Sequence, residues 1–143
     1  MKIYLVTAFV ITLAVSAVAQ SGQPVVKYGG TKRTPRIIEM SNMFGGEESI
    51  DMRCSRLRPF VGTIVKRDFD EDEVMVTNIT IRDTKDERVH LNVDSEQISL
   101  LGRTAPTIIS SFLGKGKRVK VWAYTCSGGG SGNFLYVDRV VAF

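Results

Sequence analysis

The chain has 143 residues, a formal net charge of +4, two cysteines and one histidine. This length leaves room for one domain once a short leader is set aside. Two cysteines and a single histidine are too few for a four-ligand zinc site, and so small a net charge does not by itself predict a nucleic-acid partner.

A signal peptide is predicted at residues 1–19. Lys2 precedes an apolar run at 3–18, and the run ends in a small-x-small sequence at 17–19. A basic start, an apolar middle and a small-residue end are typical of a cleaved leader. An uncleaved membrane anchor is the alternative, but the run is short for a span and no basic residues directly follow it. We therefore expect a secreted or periplasmic protein with no stable membrane span after cleavage.

Residues 20–53 are predicted to form a mostly irregular basic arm, with a helical turn near 36–43. The segment contains two prolines, two glycine pairs and few large apolar side chains. Its basic residues are Lys27, Lys32, Arg33 and Arg36. They belong either to a solvated linker or to a contact for phosphates, anionic lipids or acidic glycans. In a eukaryotic secreted protein, Lys32-Arg33 is also a candidate processing site.

The two cysteines, Cys54 and Cys126, are expected to form one disulfide. Cysteines in an exported protein are most simply paired. Neither belongs to a CxxC motif. A structural bridge is therefore predicted.

Residues 54–143 are predicted to form one all-β domain with one short helix, a five-stranded barrel of order β-β-β-α-β-β. The strands are expected at 60–66, 74–82, 88–94, 118–125 and 134–141. Their alternating apolar and polar side chains indicate one buried and one solvent-facing side. Gly62 suits a strongly bent first strand. In the last strand, the inward side chains are expected to be Leu135, Val137 and Val141.

The helix is predicted between the third and fourth strands. Pro106 suits its first position, and Gly114 suits a left-handed residue just beyond its end. Ile108 and Phe112 lie four residues apart on one apolar face. So short a helix requires tertiary packing, which one end of a barrel would supply.

This order of elements, together with the glycine in the first strand, makes residues 58–143 resemble the OB-fold superfamily. The resemblance implies that the first strand pairs antiparallel with the fourth. It also implies that Cys54, ahead of the first strand, lies beside Cys126 at the end of the fourth. A disulfide closing a loop of this length contributes about 4 kcal/mol of stability in the chain-entropy description.

No motif in the chain specifies a catalytic site. His90 has no nucleophile motif such as GxSxG to accompany it. Asp68, Asp70 and Asp72 alternate as at the start of a calcium loop, but the glycine and terminal glutamate of that loop are missing. The glycine run at 128–132 lacks the GK[ST] ending of a phosphate loop. We therefore predict no catalytic residue, no metal and no cofactor.

The candidate ligand-binding residues are predicted on the solvent-facing sides of the strands. They are Arg82, Arg88, His90, Asn92, Arg118, Lys120, Trp122 and Tyr124. OB-folds usually receive oligonucleotides, oligosaccharides or peptides on the second and third strands. Trp122 and Tyr124 offer stacking surfaces beside cations, or alternatively pack beneath the arm. The acidic segment 68–73 disfavours a long nucleic-acid track on that side.

Three functions are compatible with these patterns. The favoured one is an exported, non-catalytic OB-fold binding module whose ligand is an oligosaccharide, a nucleic acid or a protein. The alternative is a small secreted metal-dependent nuclease or phosphodiesterase, since staphylococcal-type nucleases also use an OB barrel. That enzyme would need acids of 68–73 and cations such as Arg82 and Arg88 to converge on one phosphate. An inhibitor or adhesin that presents the arm is a third possibility, and Asn78 begins a glycosylation sequon that matters only in a eukaryote.

Overall fold

The computed structural model describes residues 22–46, 53–128 and 132–143. Its elements are β1 Val25–Gly30, β2 Pro35–Ser41, β3 Arg53–Arg56, β4 Phe60–Phe69, β5 Val76–Asp83, β6 Arg88–Asn92, α1 Ser95–Ser99, α2 Ala105–Phe112, β7 Arg118–Ser127 and β8 Asn133–Ala142. The predicted leader at 1–19 lies outside the described residues and stays a prediction. None of the described helices is long and apolar enough to cross a membrane.

Five of the strands close into a barrel. Their order is β8-β6-β5-β4-β7, and a further pairing of β7 with β8 completes the ring. All these pairings are antiparallel except the short parallel contact of β6 with β8 at Asn92 and Tyr136. The predicted all-β, OB-like barrel is confirmed, including the antiparallel pairing of its first strand (β4) with its fourth (β7). Three strands outside the barrel and helix α1 were not predicted.

The first barrel strand bends at Gly62. A Cβ atom at this position would lie 2.6 Å from the carbonyl oxygen of Arg82 and nearer still to the Ile81 side chain. The register between β4 and β5 also shifts between Ile64 and Lys66. Because a bulge of this kind bends a strand and increases its twist, it helps to close so small a barrel. The crowding at Gly62 and the nearby register shift are both consistent with the predicted bend of the first strand.

Helix α2 closes one end of the barrel. Its residues Ile109 and Phe112 are almost completely buried among the inward side chains of the strands. The predicted helix is therefore present, but its end differs from the prediction. Gly114 is not left-handed, whereas Gly116 has a φ of 88°. The left-handed residue lies later because the chain must still turn so that the Gly116 N–H can donate to the Ile64 carbonyl.

A register shift in β8 changes which side chains face inward. Trp122 pairs with Arg139 and Ala123 pairs with Val137, so Asp138 has no opposite residue. The alternation therefore moves by one residue after Val137, and Val140 is fully buried. The prediction that Val141 points inward is wrong for this reason.

Residues 22–46 form an ordered hairpin, so the prediction of a mostly irregular arm is wrong for this part of 20–53. β1 and β2 pair with each other, and β2 then joins β8 at two positions, Glu39 with Val141 and Met40 with Val140. The predicted helical turn near 36–43 is replaced by strand. β8 has an unfilled edge beyond its short contact with β6, and β2 satisfies the backbone groups there. Met40 and Met43 are fully buried in the barrel core.

The predicted disulfide is present. Cys54 of β3 and Cys126 of β7 lie directly opposite each other and are bonded, 72 residues apart in sequence. β3 and β4 are two parts of one edge along β7, interrupted at 57–59. Pro59 has no N–H to donate to a ladder, which accounts for the interruption. A disulfide is consistent with an oxidising, extracellular compartment.

Candidate ligand-binding surfaces

The outer face of β4, β5 and β6 presents its side chains in rows that strand register defines. Two adjacent rows carry Thr63, Arg82 and Arg88 in one and Lys66, Thr80 and His90 in the other. Neighbouring strands lie about 4.8 Å apart, and successive rows on one face are about 6.7 Å apart. Four side chains that can carry positive charge therefore share a small area. We name Lys66, Arg82, Arg88 and His90 the β4–β6 patch.

The two arginines of the patch are directly opposite each other. Like charges at such positions destabilise a sheet. The Nε of Arg82 lies 3.6 Å from Asp86, in an ion pair whose two side chains are largely exposed. Arg88 is exposed and makes no hydrogen bond or ion pair with another described residue. Exposed pairs contribute only about 0–1 kcal/mol, so both guanidinium groups remain accessible to an anion.

The other two patch residues, Lys66 and His90, each make one side-chain contact. Lys66 pairs with Asp68 at 2.9 Å, again between exposed side chains. The Nδ1 atom of His90 lies 2.9 Å from the hydroxyl of Thr80, which is only 3% exposed. This hydrogen bond fixes the imidazole on the outer face and does not use its other nitrogen, Nε2.

The predicted residue Asn92 has a structural contact. Its side-chain amide donates to the carbonyl oxygen of Leu135 at 3.1 Å. This bond connects β6 to β8 beside their one parallel pairing. Asn92 therefore holds the barrel together at the margin of the patch.

Of the four predicted residues of β7, Arg118 lies directly opposite Thr63 and so extends the row of Arg82 and Arg88, whereas Lys120, Trp122 and Tyr124 lie progressively farther along β7. Arg118 lies over the Phe143 ring at 5.9 Å. The Tyr124 ring contacts Phe44 of the N-terminal segment, and its hydroxyl accepts a hydrogen bond from Arg56 at 2.8 Å. Tyr124 is therefore half-covered and does not offer an open stacking surface.

Trp122 lies under two cations. The guanidinium of Arg139 is 4.4 Å from the ring centroid and the ammonium of Lys120 is 5.1 Å from it. Arg139 also donates to Glu39 of β2 at 2.8 Å, and Lys27 of β1 donates to the same carboxylate at 3.2 Å. Burial acts to raise the pKa of Glu39, but these two hydrogen bonds outweigh it and hold the pKa below its ordinary value. The cluster joins the hairpin to the barrel.

The acidic loop after β4 is held by hydrogen bonds between an aspartate side chain and backbone N–H groups. The Oδ1 atom of Asp70 accepts hydrogen bonds from the N–H groups of Val74 and Met75, at 2.8 and 3.1 Å. Within 22–46, 53–128 and 132–143, no three His, Cys, Asp or Glu side chains are close enough to hold a metal ion together. The convergence of acids that the nuclease hypothesis requires is thus not found among the described residues.

A concave surface elsewhere on the molecule was not predicted from the sequence. It is a cleft of about 450 Å³ between the far half of the hairpin and α2, and we name it the hairpin cleft. Its lining residues are Tyr28, Pro35, Arg36, Ile37, Ile38, Thr107, Ile108, Ser111, Phe112, Lys117, Ala142 and Phe143. It forms because β2 pairs with β8 only at Glu39 and Met40, so the rest of β2 extends past the end of β8. The basic tracts at 27–36 and 115–120 were visible in the sequence, but only the hairpin brings them together.

A scan against protein-family models, a search of curated proteins and a search of solved structures each found no match to this chain.

Proposed function

We propose that this protein is an exported, non-catalytic binding module of the OB-fold superfamily whose β4–β6 patch holds a short anionic oligosaccharide. The observation that carries the proposal is the direct cross-strand pairing of Arg82 with Arg88. A sheet with two like charges opposite each other loses stability. A carboxylate or sulfate between them would offset this loss, because guanidinium groups bind such anions in a bidentate geometry.

The chemistry around the arginines favours a sugar over a nucleic acid. OB-folds receive both classes of oligomer on this face. Proteins that bind single-stranded nucleic acid supply aromatic rings for base stacking. The outward side chains of β5 and β6 are instead polar and include no Phe, Tyr or Trp: Asn78, Thr80, Arg82, Arg88, His90 and Asn92. Hydroxyl groups of a sugar can pair with such side chains.

Export is supported by two independent features. The sequence at 1–19 has the composition of a cleaved leader. The bond between Cys54 and Cys126 requires an oxidising compartment to persist. Together they support the proposal of a secreted or periplasmic location, and the strand order supports the proposed OB-fold assignment.

Calorimetric titration of the purified protein with a uronic-acid tetrasaccharide tests this proposal. We expect Arg88→Ala to weaken binding about tenfold or more, because hydrogen bonds to charged groups contribute about 1.5–3 kcal/mol. Arg88→Lys should restore part of the affinity, since lysine keeps the charge but not the bidentate geometry. Arg36→Ala, which removes an exposed arginine from the hairpin instead, is the matched control and should bind as the unmodified protein does.

Three results would overturn the proposal. The first is equal affinity of the Arg88→Ala and unmodified proteins for the tetrasaccharide. The second is a preference for a single-stranded oligonucleotide of equal charge. The third is cleavage of either probe when calcium or magnesium is added, which would favour an enzyme. An Asp70→Ala variant would then show whether the acidic loop takes part.

A further inference from the structure

We propose that the hairpin cleft is a second binding site, and that it takes a single-chain amphiphile with an anionic head group, such as a long-chain carboxylate. The site is distinct from the β4–β6 patch and uses none of its residues. The inference rests on the lining of the cleft, the charges at its rim and the way the hairpin is attached.

The lining of the cleft combines apolar and polar groups: seven of its twelve side chains are apolar, and five carry a hydroxyl, guanidinium or ammonium group. Phe112 forms part of its floor and is buried in the barrel core, whereas Ile37, Ile38 and Ile108 remain partly exposed on its walls. Tyr28 is 58% exposed. Partly exposed aliphatic and aromatic side chains around a concave space favour an apolar occupant, because burial of apolar surface is favourable. A volume of about 450 Å³ lies in the range typical of small-molecule sites.

The charges at the cleft are of one sign. Arg36 of β2 and Lys117, just before β7, are the charged side chains that line it, and no carboxylate side chain does so. The Nζ of Lys117 donates to the carbonyl oxygen of Ser111 at 2.6 Å, which holds this ammonium beside α2. Arg36 is exposed and has no hydrogen bond or ion pair with another described residue. An apolar cavity with cations at its rim is complementary to a molecule with an apolar tail and one anionic end.

An aliphatic chain suits these walls better than a peptide does. A peptide would bring its own amide groups, and burying each without a partner is unfavourable. Most of the lining side chains offer no donor or acceptor. A fatty chain has no such groups along its length, and the carboxylate at its end is opposite in charge to the Arg36 and Lys117 side chains that line the cleft.

Titration calorimetry of the purified protein with sodium octanoate, decanoate and dodecanoate, each below its micelle concentration, tests the inference. We expect one molecule bound per chain, with affinity rising about fourfold for each added methylene, since burying a methylene is worth about 0.8 kcal/mol. Dodecyltrimethylammonium, which has the same tail and a cationic head, should bind at least tenfold more weakly. Arg36→Ala and Lys117→Ala should each weaken dodecanoate binding several-fold.

Arg88→Ala is the matched control, because it removes an exposed arginine from the other surface. It should bind dodecanoate normally even if it loses the oligosaccharide, so failure of one proposal is distinguishable from failure of the other. Methyl NMR spectra of the unmodified protein provide a second readout, which does not depend on whether a substituted protein folds. Dodecanoate should shift the methyl signals of Ile37, Ile38 and Ile108 and leave that of Ile64, within the barrel, unchanged.

Three outcomes would overturn the inference. They are affinity that does not depend on chain length, equal binding of the cationic and anionic amphiphiles, and methyl shifts located outside the cleft. Sedimentation showing a dimer that Ile108→Asp dissociates would instead assign the cleft to a second copy of the chain. Tighter binding of an acidic peptide than of dodecanoate, with the same methyl shifts, would assign it to a protein partner.

Discussion

The barrel and the β1–β2 hairpin belong to one sheet but are held in it by different means. β7 and β8 pair along a continuous stretch from Val119 to Ser127, and the disulfide fixes β7 to β3 as well. The hairpin meets β8 only at Glu39 and Met40. The rest of the segment 22–46 is attached by the Met43 N–H, which donates to the Asp138 carbonyl oxygen at 2.9 Å, by two methionines in the barrel core and by the Glu39 carboxylate paired with Arg139.

This difference bears on the two candidate sites. The β4–β6 patch lies on strands whose register fixes each side chain, which suits recognition of a ligand with defined spacing between charges. One wall of the hairpin cleft is α2. The other is the part of β2 that pairs with β1 on one side and with no strand on the other. Segments with few buried contacts open most readily, so this wall can adjust to an occupant of variable shape.

Removing the disulfide should have the largest effect on the free energy of unfolding, because it removes a covalent link that the barrel has and the hairpin lacks. The bond spans 72 residues of sequence, and in the chain-entropy description closing such a loop stabilises the fold by about 4 kcal/mol. We expect Cys54→Ser with Cys126→Ser to lower the free energy of unfolding by about that amount. Urea titration followed by Trp122 fluorescence measures it.

The unmodified protein under reducing conditions is the control for the two serine substitutions. It should show the same loss of stability as the double variant. A change below about 1 kcal/mol in both would mean that the unfolded chain remains compact without the bond, and that the barrel depends on its core alone.

Met40→Ala asks whether the barrel and the hairpin unfold as one unit. Met40 is a hairpin residue with no exposed surface, packed among barrel side chains. Truncating a buried methionine to alanine typically costs about 2–5 kcal/mol. We expect a loss of about 3 kcal/mol in the single unfolding transition of the whole domain.

Val25→Ala, in the exposed first strand of the hairpin, is the matched control and should change stability by less than about 0.5 kcal/mol. Proteolysis can reveal the result that would contradict a single unfolding unit. If Met40→Ala makes the hairpin sensitive to protease while the urea midpoint of the barrel stays constant, the two regions are independent units.

The contrast between the regions also explains which elements could be predicted from the sequence. The barrel strands carry local signals: alternation along β5 and β6, a proline and apolar pairs for α2, and a glycine at the bend of β4. The hairpin carries no such local signal, because its strand β2 is stabilised by the edge of β8, about 100 residues later in the chain. Two glycine pairs and two prolines then favoured irregular structure.

The same reasoning applies to the candidate sites. Arg82, Arg88 and His90 could be placed on one face because strand alternation determines the side on which each residue lies. The partial burial of Tyr124 could not be predicted, since Phe44 contacts it from a segment whose structure was not predicted. The hairpin cleft depends wholly on that segment. Its residues carry only the weak signal of two basic tracts interleaved with apolar residues.

The smallest expected effect concerns two carboxylates, one in each region, whose pKa values shift in opposite directions. Hydrogen bonds from Arg139 and Lys27 outweigh burial and lower the pKa of Glu39 from its ordinary 4.5. Burial raises the pKa of Asp138 in β8 above its ordinary 3.8, against a hydrogen bond from the Phe44 backbone and the charge of Arg56. Ionised Glu39 therefore stabilises the fold, and ionised Asp138 destabilises it.

Urea titrations between pH 3 and 7 separate these contributions. A lowered folded-state pKa gives stability that is present above pH 4.5 and is lost as the pH falls, so Glu39→Gln should remove about 0.5 kcal/mol near pH 6 and little near pH 3. The loss is small because Lys27 and Arg139 are both substantially exposed, at 55% and 41%. For Asp138 the native state binds its proton more tightly, so stability falls as the pH rises above 3.8, and Asp138→Asn should flatten that fall. Because asparagine can still accept from the Phe44 backbone, the variant tests charge separately from that hydrogen bond. Equal pH profiles for the two variants would mean that the hairpin carboxylate is not paired with the barrel in solution, and that the attachment rests on Met40 and Met43.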